Sequence, residues 1–117
     1  MMRGSSESQI QHGCITWFRA QYPTLSRLLF AVPNGGKRDR RTGAQMKYEG
    51  CMRGVADLIL LVPMKGYASL CIEMKTPKGK QSEEQIVWQA LAEKARNKYV
   101  VCRSLEEFMN EVNSYLK

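Results

Sequence analysis

The stretch of sequence that decides the fold is residues 57–75, DLILLVPMKGYASLCIEMK. Two apolar runs, 58–62 and 68–74, flank the turn-forming sequence PMKGY, residues 63–67. This pattern predicts a β-hairpin with a five-residue connection. Neither run alternates strictly between polar and apolar residues, so we expect both strands to be buried on both faces.

The two acids of this stretch lie in strands that should exclude water. An unneutralised carboxylate at such a position costs several kcal/mol or more. If the hairpin is symmetric about Lys65, the numbers of paired positions sum to 130, so that Val62 lies opposite Ala68 and Asp57 opposite Glu73. Opposite residues of an antiparallel pair project to the same face, where like charges repel. A divalent cation would resolve this repulsion, and magnesium or manganese would accept both acids as oxygen ligands.

Lys75 follows Glu73 by two positions, which places both side chains on the same face of a strand. A lysine there can stabilise charge that grows on a phosphoryl group, or can position the attacking water and help to deprotonate it, while the metal lowers the pKa of that water. A different interpretation is an aspartate at a strand start and a structural Glu–Lys ion pair at a sheet edge. The combination favours a catalytic site, because perturbed charges gather at functional sites.

Helix caps and apolar periodicity predict the remaining elements. They are a helix over 6–21, a strand over 28–32, a polar helix or ordered loop over 38–49, a capped helix from Ser82, a strand over 99–102 and a capped helix from Ser104. In the helix from Ser82, we expect Val87, Ala90, Leu91 and Ala95 to line the core side. The strand–helix–strand unit that ends at residue 102 should be a right-handed parallel crossover. The order α-β-(α)-β-β-α-β-α therefore predicts an α/β fold with a mixed central sheet flanked by helices.

Length and composition are those of one compact domain over residues 1–117, with 44% hydrophobic and 25% charged residues. No apolar run approaches the roughly 20 residues that cross a bilayer, and the start lacks the pattern of a signal peptide. We therefore expect a soluble, cytoplasmic protein that does not bind membranes. Four scattered cysteines and one histidine argue against a zinc cluster.

Basic residues exceed acidic ones by 18 to 11, for a formal net charge of +7, and the excess is clustered. Such clusters suit a polyanion such as DNA, although a solvated, solubilising face has the same composition. The clustered cations are Lys37, Arg38, Arg40, Arg41, Lys47 and Arg53, followed by Lys75, Lys78 and Lys80.

The order of these residues resembles that of the PD-(D/E)xK nucleases, and specifically their VRR-NUC branch. The resemblance spans most of the chain. It is carried by Glu7, Pro33-Asn34-Gly35-Gly36, Arg53-Gly54-Val55-Ala56-Asp57, Glu73-Met74-Lys75, Gln81-Ser82 and Gln85. The chain departs from the pattern in two places: the literal Val-Arg-Arg triplet is missing, and Ala56 stands where a proline is expected. The resemblance implies a restriction-endonuclease-like fold.

The resemblance also implies roles for individual residues. Asp57 and Glu73 would be metal ligands for Mg²⁺ or Mn²⁺, with the Met74 carbonyl as a further ligand, and Lys75 would be the catalytic lysine. Two further residues would complete the catalytic group: Glu7, as an additional acid, and Gln85. Both also have ordinary explanations, since an acid suits the first turn of a helix and Gln85 completes a capping box.

In the same interpretation, Asn34, Gly35 and Gly36 form a turn whose backbone approaches a DNA phosphate. With the cations Lys37, Arg38, Arg40, Arg41, Arg53, Lys78 and Lys80, Asn34 and Gly35 make up the predicted DNA-binding residues.

The sequence therefore predicts a metal-dependent DNA endonuclease. Resemblance to small standalone members of the branch adds a preference for branched DNA such as a Holliday junction, and a homodimer, because one site per chain requires two copies to cut two strands symmetrically. The alternative from another class is a non-catalytic basic DNA-binding module or a nuclease subunit. An RNA-processing enzyme would use the same metal chemistry, but no residue is recognisable as a reader of the 2′-hydroxyl.

Overall fold

A computed structural model describes residues 6–33 and 40–117 of the chain. Its elements are α1 (Glu7–Gln21), a 3₁₀ helix (Pro23–Leu28), β1 (Leu29–Ala31), α2 (Arg40–Tyr48), β2 (Leu58–Leu60), β3 (Leu70–Met74), α3 (Glu83–Lys94), β4 (Lys98–Cys102) and α4 (Leu105–Leu116). This is the predicted order, and the basic segment forms a helix. Among the described residues, no helix has both the length and the apolar character to cross a membrane.

One four-stranded sheet, in the order β1-β2-β3-β4, organises the molecule. The pairs β1–β2 and β2–β3 are antiparallel, whereas β3–β4 is parallel. The predicted mixed sheet and the parallel connection through α3 are therefore confirmed. All five residues of β3 are buried because β3 has a strand on each side and helices over both faces.

The hairpin of β2 and β3 has the predicted register, since Leu58 pairs with Ile72 and Leu60 with Leu70, and both sums are 130. Its tip is different. The N–H groups of Met64 and Tyr67 donate to each other's carbonyls, so that these numbers sum to 131 and the predicted pairing of residues 62 and 68 is wrong.

A two-residue turn causes this difference at the tip. Lys65 and Gly66 both adopt positive φ, at 55° and 88°, as a tight turn of the hairpin type requires. The centre of the turn therefore lies between these residues rather than on Lys65. The Ala68 N–H, which the predicted ladder would have paired with Val62, donates instead to the Arg96 carbonyl.

The core lies on both faces of the sheet. Under α1 and α4 it contains Cys14, Phe18, Leu29, Leu58, Leu60, Leu70, Ile72, Met74, Cys102, Phe108, Val112 and Tyr115. A smaller cluster under α3 contains Ala56, Cys71 and Tyr99, with Ile59, Trp88 and Val101 packed against it. The smaller cluster lies beside the predicted site, and it contains the hydroxyl group of Tyr99.

The orientation of α3 contradicts the prediction. Val87 and Leu91 are each 60% exposed, and Ala90 and Ala95 are exposed as well. The sheet is contacted instead by a different side of the helix, which includes the half-buried Trp88 and the buried Ala92. The physical reason is polar: this side also carries Gln85, which donates a hydrogen bond to the buried carboxylate of Glu73, as described below. Satisfying a buried carboxylate outweighs burying two more aliphatic side chains.

Candidate active site

Asp57 and Glu73 are brought together at the end of the β2–β3 hairpin, one step beyond the Leu58–Ile72 pair. Their carboxyl groups share a hydrogen bond. Asp57 Oδ2 also accepts a hydrogen bond of 2.7 Å from the N–H of Met74, which fixes its orientation across the two strands. The predicted juxtaposition of the two acids is therefore present in the structure.

Glu73 is only 1% exposed, yet several polar groups surround its carboxylate. Its Oε2 accepts a hydrogen bond of 2.9 Å from Gln85 Nε2 and lies 3.8 Å from Lys75 Nζ. Its Oε1 accepts a hydrogen bond of 3.2 Å from the Tyr99 hydroxyl. Lys75 itself is 9% exposed, so the acid and the amine form a close pair that is largely shielded from water.

The pKa of Glu73 is raised to about 8, mainly by burial and then by the charge of Asp57 and the hydrogen bond with it. Lys75 and the Tyr99 hydroxyl lower the pKa, but their effect is smaller. Without a bound cation, the acid pair therefore retains a proton at neutral pH. Two close carboxyl groups with this behaviour form a site that favours an additional positive charge.

Gln85 completes the capping box of α3 and also contacts the buried acid. Its backbone N–H donates to Ser82 Oγ, and its Oε1 accepts from the Ser82 N–H at 2.8 Å, which completes the capping box of α3. Its Nε2 remains to donate to Glu73. One side chain therefore fixes the start of the helix and orients the buried acid.

Tyr99 and Gln81 were not among the predicted site residues, although the structure places both next to Glu73. Gln81 Nε2 donates to the Tyr99 hydroxyl at 3.2 Å and to Gln89 Oε1 at 2.9 Å, and Tyr99 donates to Glu73. Burial, followed by the charge of Glu73, raises the pKa of Tyr99, so the hydroxyl keeps its proton. The sequence signal was a tyrosine inside a buried strand, whose hydroxyl needs a partner.

The loop that leads into β2 contacts the first turn of α3. Gly54 has a φ of +85°, and a Cβ at this position would lie 2.6 Å from the carbonyl oxygen of Glu84. Arg53 Nε lies 3.4 Å from the carboxylate of Glu84 at the surface. Ala56, where the resemblance predicts proline, is fully buried, so packing holds the start of β2. The loop thus fixes Asp57 relative to the helix that carries Gln85.

The other predicted residues are less constrained by the structure. Lys78, Lys80 and Arg53 are exposed around the site, and Arg40 and Arg41 belong to α2. Asn34, Gly35, Lys37 and Arg38 lie outside the described residues. Glu7 is exposed in the first turn of α1. Within residues 6–33 and 40–117, no three His, Cys, Asp or Glu side chains converge as a metal cluster would require, so the structure does not join Glu7 to the acid pair.

The donor set fits a hard divalent cation. Two adjacent carboxylates offer the oxygen ligands that Mg²⁺ and Mn²⁺ prefer, and a site with two protein carboxylates leaves positions for water and a phosphate. The buried cysteines Cys14 and Cys102 lie in the core under α1 and α4, on the opposite face of the sheet from the acids. The repulsion that raises the pKa of Glu73 is the interaction that such a cation relieves.

A mixed sheet with helices on both faces, and an acid pair and a lysine at the end of its central hairpin, has the architecture of the restriction-endonuclease-like class. The sequence profile of the VRR-NUC domain matches residues 5–106. The chain therefore belongs to the VRR-NUC family, whose domains are nuclease-type, DNA-binding domains.

A solved structure shows the same fold. It is described as a VRR_NUC domain protein and superposes with a TM-score of 0.84 over 98% of this chain and 91% of that chain, at 20% sequence identity. No curated protein sequence matches the chain.

Proposed function

We propose that the protein is a divalent-metal-dependent endonuclease that hydrolyses phosphodiester bonds in DNA. The observation that carries this proposal is the group of Asp57, Glu73 and Lys75, in which the glutamate and the lysine are buried. Asp57 lies beside Glu73 at the end of the hairpin, and the amine lies 3.8 Å from Glu73 Oε2. A purely structural role does not explain a glutamate whose ionisation is disfavoured by burial and by the adjacent charge of Asp57.

Each residue of the group has a distinct role in this proposal. Asp57 and Glu73 would hold Mg²⁺ or Mn²⁺, together with the carbonyl of Met74. When bound, the cation supplies a Lewis acid for the phosphate and lowers the pKa of a water molecule. Lys75 presents a shielded ammonium group beside the acids, where it stabilises negative charge on the scissile phosphate. Gln85 orients Glu73 through the hydrogen bond to Oε2.

The surrounding cations would bind the DNA backbone. Lys78 and Lys80 are exposed directly after β3, and Arg53 precedes β2, so these three flank the acid pair. Contacts of this kind position a duplex without reading its sequence. The proposed DNA-binding surface includes these residues and those predicted from the sequence in the basic segment, Asn34, Gly35, Lys37, Arg38, Arg40 and Arg41.

Selectivity for branched DNA would require two copies of the site, and an exposed apolar groove between α2 and α3 is suited to a second copy of this chain. The groove has a volume of about 940 Å³. Among its lining residues, Met52, Val87 and Leu91 are each at least 60% exposed. Exposed aliphatic groups in such a groove are typical of an association surface.

The charges at the edges of this groove are complementary. Lys47 lies in the last turn of α2 and Glu83 in the first turn of α3, while Arg53 and Glu84 already form an ion pair within the chain. In a two-fold interface the groove meets its own copy, so Lys47 of one chain can face Glu83 of the other. This favours a homodimer over an unrelated occupant.

Replacing Leu91 with glutamate is expected to convert a dimer into a monomer, because it puts a charge at the centre of the apolar surface. Light scattering during size-exclusion chromatography measures the change. Exposed Lys94→Ala, on the same helix, is the control. A wild-type chain that is monomeric at all concentrations would contradict the dimer, and cleavage of a four-way junction by the monomeric variant would show that selectivity does not depend on it.

The catalytic proposal is tested by incubating supercoiled, linear and four-way-junction DNA, and an RNA of matching shape, with the wild type and with Asp57→Asn. We expect the wild type to cut DNA with Mg²⁺ or Mn²⁺ and not with EDTA. Asp57→Asn should lose cleavage, because one of the two negative ligands becomes neutral. Binding in EDTA without cleavage under either metal would contradict the proposal and identify a non-catalytic DNA-binding module, while cleavage of RNA alone would change the substrate.

A further inference from the structure

Arg103 follows the end of β4, and its guanidinium crosses the end of β3. Its Nη1 donates to the carbonyl oxygens of Thr76 at 2.9 Å and Gly79 at 2.6 Å, with the Pro77 carbonyl at 3.4 Å. Its own backbone N–H donates to Glu107 at 2.7 Å, which fixes the start of the side chain. Arg103 therefore binds the turn that follows β3 through three of its carbonyl groups.

This turn, residues 76–79, lies against the catalytic lysine of the proposed site. The Gly79 N–H donates to the Thr76 carbonyl at 3.0 Å, which closes the turn. A Cβ at Gly79 would lie 3.1 Å from Thr76 Oγ1 and 3.5 Å from Lys75 Cδ, so the backbone of the turn packs on the alkyl chain of Lys75. The same segment exposes Lys78 and Lys80 to solvent. The turn thus packs on the side chain of Lys75, and residues 76–80 present Lys78 and Lys80 beside it.

We propose that Arg103 is a positioning residue that holds residues 76–80 in the conformation that binds the DNA backbone. The proposal rests on the proposed function, since it concerns how the same site receives its substrate. All three hydrogen bonds come from one nitrogen, Nη1, at the end of a side chain that is one bond longer than that of lysine, so a lysine ammonium at this position would not reach the same carbonyl groups. These bonds direct Nη1 toward the protein. Arg103 would therefore affect DNA binding indirectly, by holding residues 76–79.

The test compares Arg103→Lys with the double variant Lys78→Ala/Lys80→Ala and with the triple combination. Binding of a labelled four-way junction is measured by fluorescence anisotropy in EDTA, so that cleavage does not interfere, over a range of salt concentrations. Arg103→Lys keeps the positive charge and removes the guanidinium. Lys94→Ala, far along α3, controls for the loss of one surface charge.

We expect Arg103→Lys to weaken binding roughly tenfold, as the double variant does, and to lower the salt slope by about 0.9 for each phosphate contact that is lost. The triple variant should bind the junction less than about twofold more weakly than Arg103→Lys does, because Arg103 and the two lysines act through one turn. Wild-type binding by Arg103→Lys, or a full additive loss in the triple variant, would overturn the proposal.

Hydrogen–deuterium exchange provides a second measurement that does not depend on DNA. In Arg103→Lys we expect the amide of Gly79 to exchange at least about tenfold faster, while β3 and β4 stay protected. Unchanged protection of this amide would exclude a role in ordering the turn. A wild-type chain that binds no DNA would refute the proposed function, and the exchange result would still decide what Arg103 does to the turn.

Discussion

Replacing Lys75 with alanine is expected to lower kcat for DNA cleavage by about 10²- to 10³-fold, the effect of removing one preorganised group that stabilises transition-state charge. The ammonium lies 3.8 Å from Glu73 and is largely shielded from solvent, so bulk water cannot replace it. The loss should appear in kcat, because the group acts on charge that grows during the reaction. Single-turnover cleavage with saturating enzyme measures this step directly.

Two variants make this result specific to Lys75. Lys94→Ala removes an exposed lysine from the last turn of α3 and should keep wild-type kcat. Lys75→Arg restores the charge but not the compact ammonium, and should recover only part of the activity because the larger group has to enter a buried space. Should Lys75→Ala retain wild-type kcat, the assignment of this lysine to catalysis would be incorrect.

In EDTA, the free energy of unfolding should fall as the pH rises from about 4.5 to about 8 because of Glu73. The ordinary pKa of a glutamic acid is 4.5, whereas that of Glu73 in the folded protein is about 8, so the folded state binds more protons between these limits. The contribution of Glu73 to stability is therefore complete below the lower limit and is lost as the pH passes through the upper one. The slope within the window is up to about 1.4 kcal/mol per pH unit.

Glu73→Gln removes this titration while keeping the size of the side chain. Its midpoint of thermal unfolding in EDTA should exceed that of the wild type at pH 8 to 9, and the gap should close toward pH 5. Saturating Mg²⁺ should stabilise the wild type most at the alkaline end, where the acids are ionised, and should leave Glu73→Gln nearly unchanged. Parallel pH profiles of the two proteins would show that Glu73 has an ordinary pKa.

The register of the site was predictable because it depends on local sequence. The prediction centred the hairpin on Lys65, and the strand pairs keep the sum of 130 that this centre requires, although the turn itself is shifted. This register places Asp57 beside Glu73 without knowledge of the rest of the chain. The turn at the tip is centred between Lys65 and Gly66 rather than on Lys65. This shift leaves the strand pairs unchanged, because the exposed turn does not determine which face of each strand is buried.

Tyr99, Arg103 and the orientation of α3 could not be predicted, because they depend on contacts between distant segments. The apolar residues Val87 and Leu91 suggested one buried face of α3, whereas the helix is turned so that Gln85 reaches Glu73. Tyr99 contributes from a strand that is adjacent only after the parallel crossover has formed. Arg103 likewise contacts the turn of residues 76–79 only when β3 and β4 lie side by side.

The contact between Asp57 and Glu73 lowers the stability of the fold, and in the proposed function this cost serves only catalysis. Folding alone would favour an uncharged residue at either position, so under the proposed function it is the requirement for cleavage that keeps both acids in place. A lineage that no longer needed to cut DNA would be free to replace one of them and would gain stability by doing so. Among relatives with this fold, an unusually stable member that lacks one acid is therefore the expected form of a descendant that has kept DNA binding and abandoned catalysis.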